Sequence, residues 1–496
     1  MRASVLSDWL AQRLVRDAAR SAQPLYRQLH ALLQQAILDG ELPAGARLPA
    51  SRVLAAELDL ARNTVIQVYE QLALEGYVVS ARGRGTLVAE GAREEVLGLE
   101  HDTGVCAPGE PAAALSTRGA RLLHGAGVSA RQAGAFMPGV PDTSRFPARI
   151  WSRLQSRYWR ECPADLLTYA PAGGLPALRQ ALADYLRTSR SVQCAPEQIV
   201  ITTGIHQSID LTVRLLTDVG DTIWTEDPCY WGVRSVLGVS GLATRPVPVD
   251  DEGMLPPDAV DATPPRLMLV TPSHQYPLGM VMSLPRRRQL LDYARQHRCW
   301  IIEDDYDSEF RYGQRPLASL QSLDTAGQVI YVGSFGKTLF PGLRVGYLVA
   351  PPTLAASFAR ASAELYREGQ LLQQAVLADF IREGHFASHI RRMRLLYGQR
   401  RQALIERVTA RFGAALPVIG GDAGLHLVLA LPDSVDDRDL AARALARNIV
   451  VRPLSTYYAC RDTARSGLLV GYGGVADEAL GPCFDTLAEV VAPLLG

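Results

Sequence analysis

Of the 51 lysines and arginines in this 496-residue chain, one alone is a lysine: Lys337, within Gly333-Ser334-Phe335-Gly336-Lys337-Thr338. Where arginine supplies almost all the positive charge, a lone lysine points to a task that guanidinium cannot perform. A lysine amine, with a pKa of about 10.4 in water, can lose its proton in a tuned site, whereas an arginine effectively never does. Only the neutral primary amine condenses with an aldehyde. The chemistry implied is a Schiff base on Lys337.

Other reactive side chains recur at the ends of apolar, β-rich runs. After Ile199 to Thr202 comes Thr203-Gly204-Ile205-His206-Gln207, a turn into a helix whose free N–H groups and dipole suit a phosphate. After Trp300-Ile301-Ile302-Glu303 comes Asp304-Asp305-Tyr306, and seven residues beyond Lys337 stands Arg344. Phosphate turn, carboxylate, tyrosine, lysine and arginine together form the set that pyridoxal phosphate needs. The amine meets its aldehyde, a carboxylate keeps its pyridine nitrogen protonated, and Arg344 with Ser334 holds the phosphate. Asp305 is expected to be structural, because adjacent strand residues face opposite ways.

The elements that must position these groups are those of an α/β fold. Ile199 to Thr202, Thr222 to Trp224, Leu267 to Val270, Trp300 to Ile302 and Val329 to Val332 alternate with helical stretches. That order predicts a largely parallel sheet covered by helices, with ligands at the carboxyl ends of its strands. Length and 48% apolar content predict two or more domains with a large core.

The N-terminal part has another pattern. Leu25, Leu29, Leu32, Leu33, Ala36 and Ile37 recur at helical spacing up to Gly40. Ser51 is expected to cap a short helix carrying Val53, Leu54, Ala55 and Leu58, and a second helix carries Val65, Val68, Tyr69 and Leu72. Two short helices joined by a tight turn read as helix-turn-helix, and Tyr77 to Ser80 with Thr86 to Val88 make a hairpin wing. Arg52, Arg62, Asn63, Thr64, Gln67, Arg82 and Arg84 gather on the reading helix and wing. With 51 basic and 51 acidic residues the chain has no global field, so contact with double-stranded DNA must come from this local patch.

Residues 89 to 133, rich in Ala, Gly, Glu and Pro, read as a linker without a sustained apolar period. The division expected is 1–88, 89–133 and 134–496. Seven scattered cysteines with no Cys-x-x-Cys spacing speak against a disulfide framework or metal site and for a reducing cytoplasm. No apolar run reaches membrane-spanning length.

Leu48-Pro-Ala-Ser-Arg52, Arg62-Asn-Thr-Val65 and Gly83-Arg-Gly-Thr86 resemble the winged-helix signatures of GntR-type regulators. Ala61, where a capping serine is common, is a departure. Residues 134–496 resemble a fold-type I aminotransferase domain with a small C-terminal subdomain. The matching text is Tyr169 to Arg179, Glu226-Asp-Pro-Cys-Tyr230, Thr271-Pro-Ser-His-Gln-Tyr-Pro277, Glu303-Asp-Asp-Tyr306 and Ser334 to Arg344. The whole chain resembles the MocR/GabR subfamily.

That resemblance implies Lys337 as the cofactor lysine, Asp304 facing the pyridine nitrogen and Tyr306 bonding the ring hydroxyl. It further implies Tyr230 stacked on the ring, Gly204, Ile205 and His206 as phosphate donors, and Tyr169 reaching the neighbouring subunit's phosphate. A head-to-tail homodimer follows from the same likeness, with each winged helix over its partner's large domain. Two departures stand out. Tyr276-Pro277-Leu278-Gly279 replaces an Asn-Pro-Thr-Gly motif, removing an amide contact to the ring hydroxyl, and Leu468 to Tyr472 lacks the arginine that usually clamps a substrate carboxylate. Arg452 or Arg465 is then the candidate anchor for an amino-compound effector. The reading is a transcription regulator that responds to pyridoxal phosphate, to a small amine or amino acid, or to both. An active aminotransferase with an appended DNA-binding domain is the alternative.

Overall fold

The computed structural model describes residues 3–14, 23–81, 85–90, 115–124, 133–256, 263–312, 318–367 and 369–495. It divides into two compact units, Met1–Ala114 and Leu115–Gly496.

In the first unit the helices Leu25–Leu38, Ser51–Glu57 and Arg62–Leu74 close around one core. The last buries Val65, Val68, Tyr69 and Leu72, the i, i+3, i+4, i+7 stripe that its sequence spaces out. Opposite that stripe, Arg62, Asn63 and Gln67 are exposed. Strands β1 (Val78–Ala81) and β2 (Gly85–Val88) pair antiparallel, Val78 against Val88 through Ala81 against Gly85. A further helix, Ala3–Arg13, adds buried Leu6 and Leu10 to the same core. No long apolar run announced it, because three leucines at i, i+4, i+8, ending at Leu14, suffice to seal one narrow face. Ser51 is not a cap: it is the first helical residue, Ala50 occupies the cap position, and no side chain accepts there.

The second unit is built on an eight-stranded sheet, counted among the described residues. Its strands are β3 (Ile199–Thr202), β4 (Thr222–Asp227), β5 (Ala243–Asp250), β6 (Gly253–Met254), β7 (Leu267–Val270), β8 (Trp300–Asp305), β9 (Val329–Ser334) and β10 (Gly346–Val349). Their order is β3-β10-β9-β8-β7-β4-β5-β6. The centre, from β9 to β5, is parallel, while β10 runs antiparallel to both β3 and β9. Period-two alternation splits the strand residues between two cores. Val200, Ile223, Leu267, Leu269, Ile302, Ile330, Val332 and Leu348 share one layer, whereas Trp224, Met268, Val270, Ile301 and Val329 share another.

A smaller antiparallel sheet lies toward the C-terminus: β11 (Val418–Ile419), β12 (His426–Ala430), β13 (Arg452–Pro453) and β14 (Gly467–Gly471), in the order β11-β12-β14-β13. The 28-residue helix His385–Phe412 and helix Asp477–Val491 pack beside one another in this region. Within the segment read as linker, Thr117–His124 forms a helix that packs on Trp231–Ser240.

A cofactor cavity and a DNA-reading face

The parallel strands bring the reactive groups to one edge. Asp304 and Asp305, successive on β8, register against Val332 and Gly333 of β9, and Lys337 follows β9 by three residues. The alternation separates the two carboxylates. Asp305 turns to buried Arg190, whose Nε donates to it at 2.8 Å, and it also accepts from Tyr331. Asp304 lines a cavity of about 190 Å³ together with Gly204, Ile205, His206, Tyr230, Tyr276, Tyr306, Ser334, Lys337 and Arg344.

Lys337 donates through Nζ to the Gly139 carbonyl at 2.8 Å. Burial pushes its amine below the ordinary lysine value, against the pull of Asp307 and Asp304. Gly139, with φ of 71°, stands in the left-handed region that favours glycine, and a Cβ there would press on Nζ at 2.7 Å. Asp304 has no hydrogen-bond partner among the described residues and is 7% exposed. Burial, reinforced by Asp305, Asp307 and Glu226, pushes its carboxyl up to about 8. The pull of Lys337 does not offset that push, and a protonated ring nitrogen would add a cation at the carboxyl itself.

The opposite end is a phosphate cradle. Gly204 caps helix Ile205–Leu216 with φ of 134°, and the first N–H groups of that helix face outward by construction. A Cβ on Gly346 would meet the Gly204 Cα at 2.7 Å, so two glycines let β10 draw the Arg344 turn beside this helix start. Ser334 Oγ accepts from the Gly336 N–H at 3.1 Å and keeps its hydroxyl hydrogen. The His206 Nε2 is buried without a partner among the described residues, and burial together with Arg344 lowers the imidazole's pKa. The His206 ring stacks on Tyr230 at 5.8 Å. These residues fit pyridoxal phosphate at three separate points: amine to aldehyde, Asp304 to ring nitrogen, and helix start with Arg344 to phosphate.

Not every candidate joins this cavity. Tyr169 is 76% exposed, with the Arg367 guanidinium 5.8 Å over its ring. Arg452, on β13, donates to Met137 Sδ at 3.6 Å, two residues before Gly139. Arg465 is exposed and influences Tyr458. Tyr276 occupies the position of the missing amide; its hydroxyl lies 3.3 Å from that of Tyr457. Residues 457–459 are tied down over the site by Cys229 N–H donating to the Tyr457 carbonyl and Ala459 N–H to Asp227.

Sequence reasoning missed Gly139, His274 and Asp307. The last two lie inside or beside quoted motifs, where polar residues continuing past a strand end were the available signal.

On the first unit, Arg52, Arg62, Asn63 and Gln67 are exposed and Thr64 is half-buried. Arg82 and Arg84 lie outside the described residues. Arg47 was not anticipated: it bridges to Leu87, and a Cβ on Gly85 would lie 3.0 Å from its Nε, so its guanidinium sits at the base of the wing.

A winged helix on one unit and a pyridoxal-phosphate cavity of the fold-type I aminotransferase kind on the other define a regulator with a cofactor-binding domain. Residues 153–468 match the family described as Aminotransferase class I and II, and residues 25–88 match the bacterial regulatory proteins of the gntR family. The chain is 40% identical over 458 residues to the probable rhizopine catabolism regulatory protein MocR of Rhizobium meliloti, covering 92% of each. It is 33% identical to the pyridoxine biosynthesis transcriptional regulator PdxR of Corynebacterium glutamicum, covering 91% of this chain and 93% of that one. Among solved structures, the α-aminoadipate aminotransferase LysN of Thermus thermophilus superimposes with a TM-score of 0.67 at 26% identity, over 77% of this chain and 95% of that one. The protein belongs to the MocR-type branch of the GntR regulators, in which a winged helix is fused to an aminotransferase class I and II domain. It is a DNA-binding transcriptional regulator whose cofactor is pyridoxal phosphate.

Proposed function

We propose that this regulator is a homodimeric cytoplasmic sensor whose large unit binds pyridoxal phosphate together with a small amino compound, and whose occupancy sets the DNA affinity of the winged helices. The observation that carries this reading is the pairing of a complete cofactor cavity with a strand, β14, that lacks the usual carboxylate-clamping arginine. Ligand recognition is retained while the standard means of aligning an amino-acid substrate is not. A relative named for pyridoxine biosynthesis and another named for rhizopine catabolism are consistent with a small-molecule signal.

Bound pyridoxal phosphate supplies an aldehyde to Lys337 and an electron-withdrawing ring. Asp304 holds the proton on the ring nitrogen, the Gly204 turn and Arg344 anchor the phosphate, and Tyr230 covers one ring face. For the effector's carboxylate, Arg452 is favoured over Arg465. It donates to Met137, two residues before Gly139, and its charge pulls down on the hydroxyls of the cavity-lining Tyr276 and its partner Tyr457, against the larger upward push of burial. A second copy is supported by a groove of about 910 Å³ beside the cavity. It shares His206 and Arg344 with the cofactor site and is lined by Leu122, Leu123, Trp231 and Val236.

The test joins two readouts on one sample. With pyridoxal phosphate present, the visible spectrum is recorded through an amine panel, and the same mixtures are run against the protein's own upstream DNA. One amine is expected to shift both the band and the DNA complex without keto acid appearing. Steady release of keto acid would instead favour an aminotransferase, and a DNA complex indifferent to every ligand would defeat the sensor reading.

A further inference from the structure

A hydroxyl and a carboxylate converge on a single nitrogen beside the cofactor cavity. The Tyr306 hydroxyl lies 2.7 Å from His274 Nδ1, and the same nitrogen is 3.0 and 3.2 Å from the two carboxylate oxygens of Asp307. His274 and Asp307 are each 2% exposed, and His274 Nε2 meets no hydrogen-bonding atom among the described residues. The pair is enclosed by glycine. A Cβ on Gly424, whose φ is 78°, would overlap both His274 Cε1 and Asp307 Oδ2. One on Gly279 would stand 3.3 Å from His274 Nε2. A side chain at either glycine position would press on the pair.

One nitrogen cannot accept from tyrosine and donate to a carboxylate at once. If Nδ1 were the lone pair, it would face the Asp307 oxygens with no hydrogen between them unless the carboxyl carried one. If Nδ1 carries the hydrogen, Asp307 and the Tyr306 oxygen share it, and in that tautomer the unpartnered Nε2 is a lone pair, which costs less to leave bare than an N–H. The second arrangement leaves the tyrosine's own hydrogen unspent. The cavity is then the direction open to it, because Tyr306 lines that cavity alongside Asp304 and Lys337.

Resting on the cofactor reading above, we propose that His274, oriented by Asp307, is a positioning residue that makes Tyr306 an obligate hydrogen-bond donor to the ring oxygen of pyridoxal phosphate. The pair compensates for Tyr276, which stands where aminotransferases commonly carry an asparagine amide aimed at that same oxygen. The Tyr276 hydroxyl instead lies 3.3 Å from that of Tyr457, and its ring is set edge-on to Tyr306. The groups facing His274 are Asp307, Tyr306 and His426, whose ring lies 5.3 Å away. Asp304 and Lys337 stand beyond Tyr306 and Asp307 in the cavity.

The readout is the apparent pKa of the cofactor chromophore, taken from visible absorbance against pH on the full-length protein loaded with pyridoxal phosphate. A hydrogen bond donated to the ring oxygen stabilises its anionic form, so losing it raises that pKa, by roughly one unit or more. Tyr306→Phe and His274→Phe are each expected to raise it alike, and the double variant no further. His274→Asn, whose side-chain amide can donate from nearly the Nδ1 position, is expected to stay near the unsubstituted value. Asp307→Asn separates orientation from charge. Removing an anion by itself would lower the chromophore pKa, whereas a released Tyr306 hydroxyl raises it.

An unchanged value in His274→Phe overturns the proposal, as does a further rise of equal size when His274→Phe is added to Tyr306→Phe. If His274→Phe does not fold, His274→Asn and Asp307→Asn still decide: a rise in the former with a fall in the latter rejects it. Absence of any cofactor band in the unsubstituted protein would instead refute the cofactor reading itself.

Discussion

Asp304 is a buried carboxyl on which burial and three neighbouring carboxyls outweigh the pull of Lys337, and its pH dependence follows. Raised from an ordinary value of about 4 to about 8, it prefers its proton in the folded chain. Its contribution to stability is therefore complete in acid, below the range where an unfolded aspartate ionises, and is lost as pH climbs through 8. Glu303 and Glu226, each pushed by burial to about 7, act in the same direction. Thermal melts of the cofactor-free protein are expected to fall between about pH 5 and about pH 8.5, a window set by these carboxyls. Asp304→Asn should flatten that fall and raise the melting temperature on the alkaline side, while weakening retention of the visible cofactor band. Pyridoxal phosphate, bringing a protonated nitrogen to Asp304, should flatten it in the unsubstituted protein. An unaltered pH slope in the Asp304→Asn variant would show that another carboxyl governs it.

At the scale of elements, the reading helix has an identifiable weak end. Ala61 occupies its cap position with extended backbone, φ −65° and ψ 134°, and no side chain accepts the first-turn N–H groups. A serine there can accept from Asn63 or Thr64, so Ala61→Ser is expected to stabilise the helix by about 1 kcal/mol. Amide exchange across residues 62–74 of the full chain should slow accordingly, and an unchanged rate would mean that the N-terminal turn does not limit opening. The amphipathic stripe of this helix, and the hydrophobic runs that became β3, β4, β7, β8 and β9, were legible because burial imposes a period on the residues themselves. That Asp304 and Asp305 turn opposite ways followed from the same period, whereas Arg190 as the partner of Asp305 did not. What sequence could not convey was long-range: that the Arg344 turn returns on an antiparallel β10 beside Gly204, that Gly139 approaches Lys337 from far along the chain, and that His274 meets Asp307. Those contacts depend on how strands are ordered, and ordering leaves no periodic trace. The helix Thr117–His124 was missed for a different reason, being too short to display a repeat.

Across the whole molecule, 51 basic and 51 acidic residues cancel, so attraction to DNA must be carried by a few arginines on each winged helix. Their number is countable. Each phosphate neutralised contributes a slope of about −0.9 to the dependence of log affinity on log salt. Arg62 is exposed at the start of the reading helix, where it can reach the duplex without disturbing the core beneath Val65. If a dimer presents two winged helices at once, Arg62→Ala removes the contact twice, and the slope should become shallower by about 1.8, twice the per-phosphate value. A change of about 0.9 would mean that one winged helix engages at a time. The same variant should leave the cofactor spectrum untouched, because the cavity lies in the other compact unit. Electrophoretic titrations across a series of salt concentrations, with pyridoxal phosphate held constant, therefore count the reading heads on the operator. An unchanged slope would exclude Arg62 from the contact and shift attention to Arg47 and Arg52.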